Sequence, residues 1–182
     1  YNTRLYIGYQ STESSDIQNS NTTLISDYKN SFLTSNFEYF NFKSDDFLFP
    51  EKTKMIVKAG YGSRDSKFNK NSQFFLNLDI SHNLYLNEKN SFNIRSQNYY
   101  LNSETFITNE LFRFGGIHSI RGFNENSLQS NTLLSLLTEY RYQLAPTIYV
   151  HSIIDYANFQ DTTTNNKGNL LGLGFGFGLL TK

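Results

Sequence analysis

Apolar and polar residues alternate along most of this chain, and a period of two is the signature of strands with one apolar face. Eight segments carry it: 2–10, 31–43, 52–62, 73–86, 91–101, 132–144, 147–158 and 169–180. In the fourth, Phe74, Leu76, Leu78, Ile80, Leu84 and Leu86 share one face, with Gln73, Asn77, Asp79, Ser81 and Asn83 on the other. The sixth sets Leu134, Leu136, Tyr140, Tyr142 and Leu144 against Ser135, Glu139, Arg141 and Gln143. The eighth alternates Leu171, Leu173, Phe175, Phe177 and Leu179 with Gly172, Gly174, Gly176 and Gly178. Glycine in a strand marks close approach of another group or a bend. Both remain open for this face: an object lodged against it, or a sharply bent strand at a barrel corner.

The connections predicted between these segments are 11–30, 44–51, 63–72, 87–90, 102–131, 145–146 and 159–168. They alternate long and short, as in outer-membrane barrels. A soluble antiparallel sandwich shares the strand pattern but has no reason to alternate its loops so regularly. The expectation is an all-β fold, an antiparallel transmembrane β-barrel. No linker divides the chain, so 1–182 is read as part of a single barrel domain. The polar stretch 11–21 reads as a flexible surface loop.

Composition narrows the function classes. The formal net charge is zero, which leaves no basic excess to displace phosphate counterions and argues against nucleic acid as a partner. There is no cysteine, so disulfides, thiolate metal sites and cysteine nucleophiles are all excluded. The chain has 13 Tyr and 17 Phe against 2 Pro. Aromatic residues favour strands, and Tyr suits a bilayer interface. Mean hydropathy is −0.50, and no apolar run approaches the ~18 residues of a membrane helix. Barrel strands escape that criterion because they alternate. No signal peptide is visible. Tyr1 opens into a strand-like run, Thr3 to Tyr9, so a mature or truncated exported chain is expected.

Catalytic chemistry is not signalled. His82, His118 and His151 lie on separate elements without carboxylates at ligand spacing, so no metal site is expected. By parity His82 faces lipid or the interface and His151 the lumen. Asp45-Asp46 reads as a solvated pair in a turn rather than a calcium site. There is no Gly-x-Ser-x-Gly elbow and no phosphate loop. The expectation is a non-enzyme without catalytic residues or cofactor.

The longest predicted connection, 102–131, carries the most specific signal. Its centre runs Leu111-Phe112-Arg113-Phe114-Gly115-Gly116-Ile117-His118-Ser119-Ile120-Arg121-Gly122-Phe123. The next strand holds Leu137-Thr138-Glu139-Tyr140-Arg141-Tyr142, and the one after it Ile153-Ile154-Asp155-Tyr156-Ala157. The ordered set of Gly115-Gly116, Ile120-Arg121-Gly122-Phe123, strand Glu139, turn and strand Asp155 resembles the superfamily of outer-membrane assembly factors of the BamA/TamA type and two-partner secretion transporters. The likeness covers about residues 52–182 well and the first fifty poorly.

The resemblance implies that loop 102–131 folds into the lumen and that Arg121 pairs with Glu139 and Asp155. Parity alone already puts both acids on the non-lipid face. A guanidinium in a confined lumen needs a carboxylate and pairs with it in a planar, bidentate way. Gly122 permits a positive φ where the loop reverses, Phe123 can wedge against the wall, and His118 takes a polar structural role. Taken singly, Arg121 reads equally as a solvated loop arginine and Glu139 as an ordinary luminal charge beside Arg141. Their ordered combination favours the pinned loop.

The resemblance further implies a sixteen-stranded barrel in which these eight strands are the seventh to fourteenth. An eight-stranded barrel has room only for its own side chains, so a fragment of a larger barrel is expected. The implied function is assembly and insertion of other β-barrels in the bacterial outer membrane. The implied partners are the outer-membrane lipid bilayer, unfolded β-barrel client proteins and accessory lipoproteins. Alternatives are a two-partner secretion pore exporting one polypeptide, the barrel of a patatin-like lipase fusion, and a plain porin-like barrel.

Overall fold

The structure, a computed structural model, describes residues 1–15, 26–43 and 48–180. Asp45-Asp46 and most of the polar stretch 11–21 lie outside the described residues. Among the described residues ten strands form: β1 (Asn2–Ser14), β2 (Tyr28–Phe42), β3 (Glu51–Ser66), β4 (Lys70–Tyr85), β5 (Asn90–Ser103), β6 (Phe112–Phe114), β7 (Leu128–Ser130), β8 (Thr132–Ala145), β9 (Ile148–Asp161) and β10 (Asn166–Leu179). Eight build one antiparallel sheet in the order β1-β2-β3-β4-β5-β8-β9-β10, and β6 pairs with β7 in a separate two-stranded ribbon. Each strand of the large sheet thus pairs with the next one in the chain, apart from the excursion between β5 and β8. The sheet is open, because β1 and β10 are not paired with each other.

Two expected long connections are tight turns. The segment 63–72 is mostly strand: β3 runs to Ser66 and β4 starts at Lys70. Ser66 closes the turn by donating its N–H and its Oγ to the Asn69 carbonyl, both at 2.9 Å. Likewise 159–168 shrinks to the turn 162–165, with Asn165 at φ 54° and Asp161 Oδ1 accepting from the Thr163 N–H. At these ends Arg64, Asp65, Lys70 and Asn71 continue the ladder without apolar alternation, so periodicity stops before pairing does. The regular long–short alternation is correspondingly weaker than expected. The connection 102–131 begins two residues later and contains β6, β7 and a 3-10 turn at Thr108–Glu110.

The two faces of the sheet differ in kind. One carries Leu5, Ile7, Leu33, Tyr61, Leu84, Leu134, Leu136, Ile154, Leu171, Leu173, Phe175 and Phe177, all exposed. Nothing among the described residues covers it. The other carries Arg64, Gln73, Asp79, Arg95, Glu139 and Asp155, and the segment between β5 and β8 lies across it. The hydrophobic core sits between that segment and the sheet. Phe114 and Ile120 from the segment pack with Leu133, Leu137, Ala157 and Phe159 from β8 and β9. Ile120 is 0% exposed and Phe114 1%. Each such burial contributes about 1.5–3 kcal/mol, so apolar packing holds the middle of the segment down.

Candidate functional site: a loop clamped to the sheet at two points

The centre of the loop turns on three glycines at positive φ: Gly115 at 103°, Gly116 at 100° and Gly122 at 93°. L side chains avoid this region, so the glycines of the motif are conformational requirements. Space adds to the demand at the first two. A Cβ on Gly115 would lie 2.7 Å from the Asn124 carbonyl, and one on Gly116 would lie 1.6 Å from Glu125 Oε2. At Gly122 nothing lies within 4 Å, and the backbone alone decides. The turn is tied by Gly116 N–H to the Ile120 carbonyl (3.1 Å) and Ser119 N–H to the Gly116 carbonyl (3.1 Å). Arg95 Nη1 donates to the His118 carbonyl at 3.1 Å, while the His118 residue itself is exposed.

This turn delivers Arg121 to the sheet. Its Nε donates to Asp155 Oδ2 at 2.7 Å and its Nη2 to Asp155 Oδ1 at 2.6 Å, a bidentate pair. The Arg121 backbone N–H also donates to Asp155 Oδ2, at 3.1 Å. Nη1 reaches Glu139 Oε2 at 2.9 Å, and Nη2 also meets the Thr138 carbonyl at 3.3 Å. Glu139 turns its other oxygen to Arg141 Nε at 2.9 Å and His151 Nδ1 at 2.6 Å. The Asp155 side chain is 0% exposed and that of Arg121 20%. Burial works against the charge on Arg121, and the bonds to Asp155 and Glu139 outweigh it and hold the guanidinium above its ordinary pKa. Of the motif's apolar residues, Ile120 is fully buried, and Phe123 packs on the rim of the core cluster.

The glycine face of β10 lies beneath these groups. A Cβ on Gly172 would come 2.2 Å from the Arg121 carbonyl oxygen, so this glycine admits the loop backbone. Gly176 and Gly178 lie under the rings of His151 and Tyr149, while at Gly174 the nearest atom is 3.9 Å away. One glycine thus accommodates the loop and two accommodate side chains of the neighbouring strand.

A second clamp of opposite polarity holds the start of the loop, and motif reasoning passes it by. Here the acid belongs to the loop and the arginine to the sheet. Arg64 Nη1 donates to Glu110 Oε1 at 2.5 Å. Gln73 Nε2 donates to Glu110 Oε2 at 2.9 Å, and the Ile107 N–H to Oε1 at 3.0 Å. Arg64 also reaches the Thr105 carbonyl, Thr105 Oγ1 and Asn69 Oδ1. The pair is dry, with side chains 0% and 3% exposed. Burial pushes the Glu110 carboxyl above the ordinary carboxylate range, against the pull of the Gln73 amide and the Arg64 guanidinium.

The histidines stay apart from one another. His82 lies on the uncovered face and shares a 2.8 Å bond with Thr53 Oγ1, while His151 lies on the covered face. Among the described residues, no three His, Asp or Glu side chains cluster to hold a metal ion. The arrangement offers electrostatic fastening of a loop to a sheet, and no nucleophile–base pair is built into it. No protein-family model matches this chain, and no curated protein matches it.

Proposed function

We propose that the chain is part of a bacterial outer-membrane β-barrel of the BamA/TamA type, which folds and inserts other β-barrels. The observation that carries this is the Arg121 clamp: a Gly-Gly turn and an Ile-Arg-Gly-Phe segment set a loop arginine on a Glu and an Asp from consecutive strands. In this reading the covered face lines the lumen. The uncovered apolar face meets lipid, which fits its leucines, isoleucines and tyrosines. The strands of the large sheet, 13 to 16 residues long, exceed the ~9–11 needed to span a bilayer. Unpaired edges are not tolerated in lipid, so strands outside this chain would flank β1 and β10 and close the barrel.

The clamped loop then acts as an internal strut. It keeps this part of the wall rigid while a seam elsewhere opens and templates the strands of an unfolded client by edge pairing. The bilayer and client barrels are the partners, with accessory lipoproteins assisting.

Depletion of the protein in its native cells tests the proposal, with outer-membrane proteins quantified by mass spectrometry. The expected result is a joint fall of several unrelated β-barrel proteins. Normal barrel levels with loss of one secreted polypeptide would overturn it in favour of an export pore. Recovery of the protein in the soluble fraction would sink the membrane assignment altogether.

A further inference from the structure

The apolar runs on the uncovered face do not follow the pairing rows of the sheet. On β1 the run is Leu5, Ile7 and Tyr9, centred on Ile7; on β10 it extends from Leu171 to Leu179, centred on Phe175. Pairing carries Ile7 through Ser35, Ala59, Leu76, Tyr100, Thr132 and Gln160 to Lys167. Phe175 lies about eight residues farther along β10, away from the loop, which at ~3.3 Å per residue is roughly 26 Å over roughly 34 Å of sheet. A line through the two centres thus runs about 38° off the hydrogen-bonding direction. With that line level, the strands lean by the same angle, inside the ~35–45° range of membrane barrels.

The loop-side border of this band slopes with it. Beyond Tyr9 and Tyr61 comes a row of paired serines, Ser11, Ser31, Ser63 and Ser72, and then a row of alternating charge, Glu13, Lys29, Asp65 and Lys70. On β9 and β10 the polar side chains begin sooner: beyond Tyr156 and Leu171 stand Asn158 and Asn169. Tyr9, Tyr61, Tyr100 and Tyr156 trace the border and are all exposed. A phenol suits the boundary of hydrocarbon and water. Inside the band, polar side chains find partners within the sheet, as hydrocarbon demands. His82 shares a bond with Thr53 Oγ1, and Ser96 and Thr138 donate to the Ser135 and Ile154 carbonyls. Asn98 donates to Ser96 Oγ and accepts from the Ser135 N–H. The short hydroxyls of Ser35 and Ser152 are exceptions. A second sheet or a docked protein would require no such level border across all eight strands.

We propose that the hydrocarbon of a bilayer covers this face on the slant, with its midplane through Ile7 on β1 and Phe175 on β10. Residues paired in one row then sit at different depths. Lys167, in register with Ile7, lies in water on the loop side. Leu171 and Thr3 share another row, yet Leu171 lies at the loop-side border and Thr3 at the opposite one. The inference rests on the membrane reading above and adds to it the tilt of the strands and the depth of each residue.

The test is nitroxide depth measurement on the full-length protein in bilayer nanodiscs, read from relaxation by oxygen and by a water-soluble nickel chelate. This chain contributes no cysteine, so Ile7→Cys, Phe175→Cys, Leu171→Cys and Lys167→Cys each add one labelling site. The Ile7 and Phe175 labels should lie at one depth to within about 3 Å, a single residue's rise. Leu171 should lie about 10 Å nearer the loop-side surface, and Lys167 should meet the chelate freely. Unchanged gel mobility of the unheated variants would show that they fold, and Leu5→Cys with Phe177→Cys replaces the first pair if either does not. Labels at Ile7 and Phe175 about 26 Å apart in height, one of them in water, would overturn the slant and leave the membrane reading standing. Free chelate access at both, or shielding of both from either reagent, would put water or a protein on the face and overturn the two together.

Discussion

The two clamps hold the same loop by opposite assignments of charge. At Arg121 the loop supplies the cation and the sheet two acids, and the cluster continues through Arg141 and His151. At Glu110 the loop supplies the acid and the sheet one buried arginine, with amide and threonine groups around it. In the first, Glu139 has the spare partners Arg141 and His151 while the fully buried Asp155 has Arg121 alone; the second is dry and has a single ion pair. In a network, losing one member redistributes the others. In a dry pair, losing one strands a charge where solvent cannot reach it. The legible motif therefore need not mark the interaction whose loss costs most.

Arg64→Leu tests that directly. It leaves Glu110 buried with only Gln73 and the Ile107 N–H, and should cost about 3–5 kcal/mol, seen as a lower midpoint in the thermal shift of the folded gel band. A loss smaller than that of the Arg121 variant would reverse the ranking. Arg121→Ala should cost about 3 kcal/mol, the lower end of the same range, since Asp155 is left buried with only the residue-121 backbone N–H while Glu139 keeps Arg141 and His151. Arg121→Lys should recover less than half of that, because an ammonium cannot make the bidentate bond. Combining Arg64→Leu with Arg121→Ala sharpens the contrast: additive losses within about 0.5 kcal/mol mean independent clamps, and a shortfall means that releasing either one frees the whole loop. The smallest effects come from β10. Gly172→Ala should cost about 1–3 kcal/mol by pushing on the Arg121 carbonyl, whereas Gly174→Ala should fall within about 0.5 kcal/mol of the parent. Equal effects at the two glycines would remove the loop as the reason for Gly172.

The clamps also differ in how far the sequence discloses them. Along β8 Ser135, Glu139 and Arg141 alternate with Leu134, Leu136 and Tyr140, and β9 sets Asp155 against Ile154 and Tyr156, so parity assigns Glu139 and Asp155 to one face, and Arg121 meets both there. Leu133, Leu137, Ala157 and Phe159 interrupt the polar side where the loop packs. Around Arg64 that contrast is lost. Ser63, Asp65 and Ser66 are polar on both faces, so the end of β3 reads as a connection, and an arginine in a connection reads as solvated. Glu110 fares no better, because its position is set by a one-turn 3-10 segment without periodicity. The strands β6 and β7 are three residues each, too short for alternation to register. What the sequence reveals is the part of the sheet where an apolar face enforces the pattern. What it conceals is the rim, where pairing is held by backbone and polar side chains alone.

Asp155 and Glu139 sit on adjacent strands, with Asp155 opposite Leu137 and Glu139 opposite Ile153. A slip of either strand by one residue would send its acid to the apolar face, and Arg121 would find one carboxylate instead of two. The loop also has to close over 28 residues between β5 and β8, a step whose entropy favours its settling after the shorter hairpins. The arginine therefore arrives last and is satisfied only by a correctly aligned pair of strands. The clamp thus works as an alignment check, since a slipped sheet forfeits one of the two carboxylates and only the native register satisfies the guanidinium in full.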